Sequence, residues 1–261
     1  MEKIKKYENF ISLGVFCGVA QDLETLGLRS KSSPFDWCLS EFECIVRLIE
    51  NKFDGFMKYE NLIQDKDHRE RYKDGAYNTI FFHDFSKYKP LKNQYDEVKE
   101  KYDRRIKNFL KDIEKPTLFV RYILSKYQDE NGRSLELSWI EENAEYIESV
   151  IKSCNPQNKI IYIGDENIHS DIIKIYKTKI DDNDIVSRNP IINNEELYPI
   201  ITAYTIDAQE ENIKFAQKKR QGKNTLMSKT NKKCKMIFEK HFKNTYVHSK
   251  EFSFDKPWKQ Q

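Results

Sequence analysis

The sequence predicts an α/β fold: a layered parallel or mixed β-sheet of about five strands flanked by helices, with a basic helical segment at the C-terminal end. Three observations carry this. The runs TLFVRYI (117–123) and KIIYIG (159–164) are nearly continuous in apolar residues, and an amphipathic pattern over 137–153 separates them. Strands of that kind joined by a helix describe a βαβ unit whose sheet is covered on both faces. A third apolar run, FISL (10–13), reaches Gly14 and passes within three residues into a helical pattern starting near Cys17, which reads as strand, tight turn and helix start.

In chain order, residues 10–14 form the first strand and 17–26 the first helix. Val19, Ala20, Leu23 and Leu26 recur at three- and four-residue spacing, and Gly27 stands as the C-terminal cap. A polar loop over 29–33 leads to Pro34-Phe35-Asp36-Trp37, where two aromatic residues flank one carboxylate. A helix over 40–51 follows, with Ser40 and Glu43 at capping-box spacing and an apolar face of Phe42, Ile45, Val46 and Ile49. Residues 53–79 read as irregular. Thr79 to Phe85 is a β-type run that ends in a His83-Asp84 pair, and a charged helix fills 93–113 with Arg104 and Arg105 on it. After the βαβ unit, a helix over 168–177 and a strand over 200–206 are expected, so that residues 1–210 form the α/β domain and 211–261 a basic extension.

Composition narrows the function classes. Hydrophobic residues make up 38% and charged residues 33% of the 261, which suits a globular protein with a real core. The formal net charge of +3 is too small to imply nucleic acid. Lys214 to Lys243 holds eleven Lys or Arg and one acid, Glu239: either a solvated basic face or a surface for an anionic ligand. Five cysteines without repeated spacing make neither a disulfide framework nor a zinc site, and fit reduced thiols in a cytoplasm. The start of the chain carries no targeting signal, and no stretch is long and apolar enough to span a membrane. No cofactor and no metal are expected, since His68, His169, His241 and His248 share no ligand-like spacing.

The chemistry-bearing candidates follow from position. Cys17 opens a helix, where unpaired N–H groups and the positive end of the dipole favour a thiolate. With His83 as base and Asp84 or Asp36 to orient the imidazole, it has the parts nucleophilic catalysis needs. Both strand ends belong on the carboxyl edge of the sheet, where open α/β folds place their sites. The same residue types also suit a buried apolar cysteine and a satisfied core histidine. Asp36 has three possible tasks: to orient the base, to cap the following helix, or to pair with Arg29. Arg121, inside an apolar strand, requires a carboxylate or phosphate partner.

Ser12-Leu13-Gly14, Cys17, Ala20, Leu26-Gly27-Leu28-Arg29, Pro34-Phe35-Asp36-Trp37, His83-Asp84-Phe85 and the Arg104-Arg105 helix together resemble a domain family of unknown function described as putative papain-like cysteine peptidases. The resemblance spans roughly residues 10–165. It implies a Cys–His–Asp site on Cys17, His83 and Asp84, with Asp36 as a further polar member. Ser12, Gly14, Trp37 and Arg121 then serve as substrate-binding residues, and the substrate is a peptide, acyl or glycan-linked molecule that is hydrolysed or transferred. The alternative is a non-catalytic or glycan-biosynthesis-associated protein, in which His83, Arg121 and the basic segment grip a phosphate or sugar nucleotide.

Overall fold

The structure is a computed structural model that describes residues 7–125, 128–179 and 189–203. It is α/β, with one parallel and one antiparallel sheet of four strands each. The parallel sheet joins β1 (Asn9–Ser12), β6 (Thr117–Ile123), β7 (Lys159–Gly164) and β8 (Ile175–Lys177) in the order β1-β6-β7-β8. All seven residues of β6 are buried because the strand has a partner on each edge and a packed layer on each face.

The two faces of β6 are filled differently. Phe119 and Ile123, with Ile11 and Leu13, enter a core shared with α2 (Phe42–Glu50), α3 (Tyr95–Ile113), α4 (Leu135–Glu142) and α5 (Ala144–Cys154). Tyr122 alternates to the other face. There its ring meets Phe16, the residue before α1 (Cys17–Thr25), edge to face at 5.2 Å.

The antiparallel sheet joins β2 (Cys38–Leu39), which precedes α2, to three strands that lie between α2 and α3: β5 (Thr79–Phe81), β4 (Tyr72–Asp74) and β3 (Leu62–Gln64), in that spatial order. Cys38, Leu62, Tyr72 and Phe81 carry it into the same core. Aromatic residues dominate here: Phe35 stacks on Phe53 at 5.5 Å, and Tyr102 meets Phe81 and Phe56 edge to face.

Several expectations are corrected. The helix over 137–153 is two helices, because Asn143 turns its amide back onto the Trp139 carbonyl (2.9 Å), ends α4 and begins α5. No helix occupies 168–177: the Ser170 hydroxyl accepts the N–H groups of Ile172 and Ile173 in a local turn that is not continued as a helix, and β8 follows. Residues 197–203 form a helix, α6 (Leu197–Ala203), in place of the expected strand. Asn194 accepts the Leu197 N–H at 2.8 Å, and Leu197 and Ile201, four apart, are fully buried. The irregular stretch 53–79 contains β3 and β4, and Ser40 gives its hydroxyl to Thr79 (3.2 Å) instead of capping α2. Gly27, at φ +70°, follows α1 as expected. Residues 204–206 of the expected strand and the whole basic segment 211–261 lie outside the described residues.

Candidate functional site

The turn between β1 and α1 is built by few contacts. The Ser12 hydroxyl, fully buried, accepts the Gly14 N–H at 3.2 Å, and the Gly14 carbonyl accepts the Tyr122 N–H at 3.3 Å. Gly14 sits at φ +80°, a region that side-chain-bearing residues rarely occupy. Phe16 is extended, and its ring lies so close over Gly18 that a Cβ there would stand 2.3 Å from it. Cys17 is therefore delivered, half-buried, as the first residue of α1. Phe16, at the N-cap position, gives this helix start no side-chain hydrogen bond.

The other described cysteines have a different setting. Cys38 is buried, and burial pushes its thiol up to about 12; burial also raises Cys44 and Cys154. None of the four described cysteines is joined in a disulfide.

The His83-Asp84 pair follows β5, a strand of the antiparallel sheet, so the Cys17 and His83 strand ends belong to two different sheets and not, as expected, to the carboxyl edge of one. His83 is solvent-accessible, yet packing around its ring lowers its proton affinity below the usual imidazole value; Arg71 adds to that, and Asp84 opposes it. A neutral imidazole at neutral pH is the form that accepts a proton. The Asp84 carboxylate is turned toward α3, where Lys101 holds one oxygen at 2.5 Å and the Tyr102 hydroxyl donates to the other at 2.9 Å.

Asp36 is fully buried. One oxygen accepts the Ser33 N–H (2.7 Å) and meets the Arg29 guanidinium (2.9 Å), and the other has no hydrogen-bond partner. Burial raises its carboxyl to about 6, against the pull of Arg29, the Ser33 N–H and Arg105. Of its three possible tasks, pairing with Arg29 is the one seen. Trp37 is partly exposed next to it.

Arg121 is fully buried. Its Nε donates to Glu136 (2.7 Å), Nη1 to the Leu13 carbonyl (2.6 Å) and Nη2 to the Ser40 carbonyl (3.2 Å), with the Phe42 ring beneath at 5.3 Å. The contacts thus join Ser12, Gly14 and Arg121 at the first turn, and Asp84, Tyr102 and Lys101 at the second strand end. Lys101 and Tyr102 are partners of Asp84 that the sequence does not single out for the site; their place on the same helix as Arg105, at three- and four-residue spacing from it, is the available signal.

Over the carboxyl ends of β6 and β7 lies a cavity of about 520 Å³ lined by Ser125, Arg133, Glu141, Asn167, His169 and Ser170, among others. It opens on the same sheet edge from which the Cys17 turn departs, the edge where open α/β sheets bind ligands. Among the described residues no group of three or more His, Cys, Asp or Glu side chains is gathered to hold a metal. Nor is any helix among them long and apolar enough to cross a membrane.

Comparison with known proteins places these motifs. Residues 8–145 match the model of a domain family described as "Putative papain-like cysteine peptidase". The chain belongs to this family. An uncharacterized protein of Acanthamoeba polyphaga mimivirus is 32% identical over 177 residues, which are 58% of this chain and 79% of that protein. No solved structure gives a significant match. The family segment contains Cys17, Asp36, His83, Asp84 and Arg121.

Proposed function

We propose that the chain is a thiol-dependent peptidase, or a related acyl hydrolase or acyltransferase, with Cys17 as nucleophile and His83 as its base. The observation that carries this reading is the position of Cys17: first residue of a helix, at the carboxyl edge of a parallel sheet, in a chain of a cysteine-peptidase family. The Cys17 thiol gives its proton to His83, and the sulfur attacks the carbonyl carbon of a peptide or related acyl substrate. The N–H groups at the start of α1 hold the oxyanion of the tetrahedral intermediate. Collapse expels the amine, which takes the proton from His83, and leaves a thioester on Cys17. Water or another acceptor, deprotonated by His83, then releases the acyl group and restores the thiol.

Asp84, fixed by Lys101 and Tyr102, supports the imidazolium through its charge, and Asp36 is the second carboxylate of the site. Ser12 and Gly14 shape the turn, and Trp37, partly exposed, offers an aromatic face to the substrate. Free thiols fit a reducing compartment, and we assign the protein to the cytoplasm. A role in gripping phosphate through Arg121 is less well served, because all three of its nitrogens already have protein acceptors.

The test is a peptide carrying an electrophilic vinyl sulfone, incubated with the protein and with its His83→Ala variant. The proposal expects one adduct, on Cys17, formed much more slowly without His83. An adduct spread over several cysteines, or one indifferent to His83, would refute it.

A further inference from the structure

We propose that Arg121 is the positioning residue of the Cys17 turn: its buried guanidinium clamps the backbone that presents the sulfur, and does not bind substrate. This rests on the reading of Cys17 as nucleophile. A guanidinium inside an apolar strand is costly unless every donor finds a partner in good geometry. Here its three nitrogens reach three separate pieces of chain. Nη1 donates to the carbonyl of Leu13, the residue before Gly14; Nη2 to that of Ser40, just after β2; and Nε to Glu136, in the first turn of α4. The side chain is 0% exposed, so no substrate reaches it without opening the core.

The turn is shaped to this clamp. A Cβ on Gly14 would stand 3.1 Å from Nη1, so a residue without a side chain lets the guanidinium close on the Leu13 carbonyl. The same added Cβ would lie 3.9 Å from the Phe35 carbonyl, which brings the Pro34–Trp37 segment to the same point. The next residue of the strand works on the other face: the Tyr122 N–H holds the Gly14 carbonyl, and its ring meets Phe16 at 5.2 Å. Two consecutive residues of β6 thus fasten both sides of the turn whose next residue is Cys17. Lysine cannot replace the fork, because one ammonium cannot span three acceptors set around a planar group.

The experiment is alkylation of the full chain by iodoacetamide between pH 5 and 9, with the Cys17 peptide followed by mass spectrometry, in wild type, Arg121→Lys and Glu136→Gln. Cooperative urea unfolding identifies the variants that remain folded. In wild type, Cys17 should react with a midpoint below the ~8.5 of an ordinary thiol. Arg121→Lys should raise the midpoint by about one pH unit, seen as roughly tenfold slower labelling at pH 6. Glu136→Gln, which loosens the guanidinium while keeping it, should move it less and in the same direction. A merely structural arginine would lower the urea midpoint and leave the Cys17 profile of the folded protein where it was. That result in Arg121→Lys, or in Glu136→Gln if the lysine variant does not fold, overturns the clamp alone. A wild-type Cys17 that reacts no faster than an ordinary thiol overturns both the clamp and the nucleophile.

Discussion

Asp36, buried against Arg29, gives the most quantitative test. In the folded chain its carboxyl is raised from 3.8 to about 6, chiefly by burial, and the residue is fully inaccessible, so solvent screening does not dilute the effect. Between those two values the folded state holds a proton that the unfolded state has released, so stability falls as pH rises from about 4 to above 6. At about 1.4 kcal/mol per pKa unit, the full effect is about 3 kcal/mol. Asp36→Asn cannot ionise and lacks this dependence. The attraction of Arg29 for the ionised carboxylate is already contained in that raised value, so what remains between the two proteins is a constant offset between a protonated carboxyl and an amide. Urea unfolding of both proteins at pH 4.5, 5.5, 6.5 and 7.5 measures the difference directly. Because about 1 kcal/mol is already lost by pH 4.5, wild type should lose about 2 kcal/mol relative to the asparagine variant across the series, most of it by pH 6.5. A constant difference would mean that Arg29 and the Ser33 N–H offset the burial; a difference growing in favour of wild type would refute the reasoning outright.

Other side chains yield sharper structural tests. Asn158→Ala removes a buried amide that accepts the Thr117 N–H and donates to the carbonyls of Ile113 and Ile151, so α3, α5 and β6 each lose a fastening. Unfolding in urea should show a cost of about 2–4 kcal/mol, since each stranded buried group carries its own penalty; a loss under 0.5 kcal/mol would contradict the network. Tyr102→Phe deletes the hydroxyl donated to Asp84 and should cost about 1–3 kcal/mol. With one donor fewer on Asp84, more of its charge reaches the imidazole, and the His83 titration followed by NMR should move upward; a downward move would show that Tyr102 does not act through Asp84. Phe35→Ala empties a site between Phe53 and Phe109 and should cost about 3–5 kcal/mol.

The parallel sheet was legible because its central strand is buried on both faces: Thr117–Ile123 leaves almost no choice of structure. The antiparallel sheet was not, because strands of two or three residues such as Cys38–Leu39 and Tyr72–Asp74 are too short for alternation to register. The same limit applies where one side chain decides. Asn143 splits a helix through a hydrogen bond to backbone that composition does not reveal. At the site, residue types and positions could be read, as with Cys17 after Gly14 and His83-Asp84 after β5. Partners could not. Arg121 was conspicuous in its strand, but the carbonyls of Leu13 and Ser40 that it serves lie 108 and 81 residues away in sequence. Likewise, nothing local to Asp84 pointed to Tyr102, which reaches it across the aromatic core.

Competition among the chain's own thiols tests the central claim most directly. Folded protein is treated with substoichiometric iodoacetamide at pH 6, and each of the five cysteines is quantified by peptide mass spectrometry, in wild type and in His83→Ala. The account predicts that Cys17 carries most of the label and that its share falls sharply without His83. Equal labelling of the five, or a Cys17 share untouched by removal of the imidazole, would contradict it.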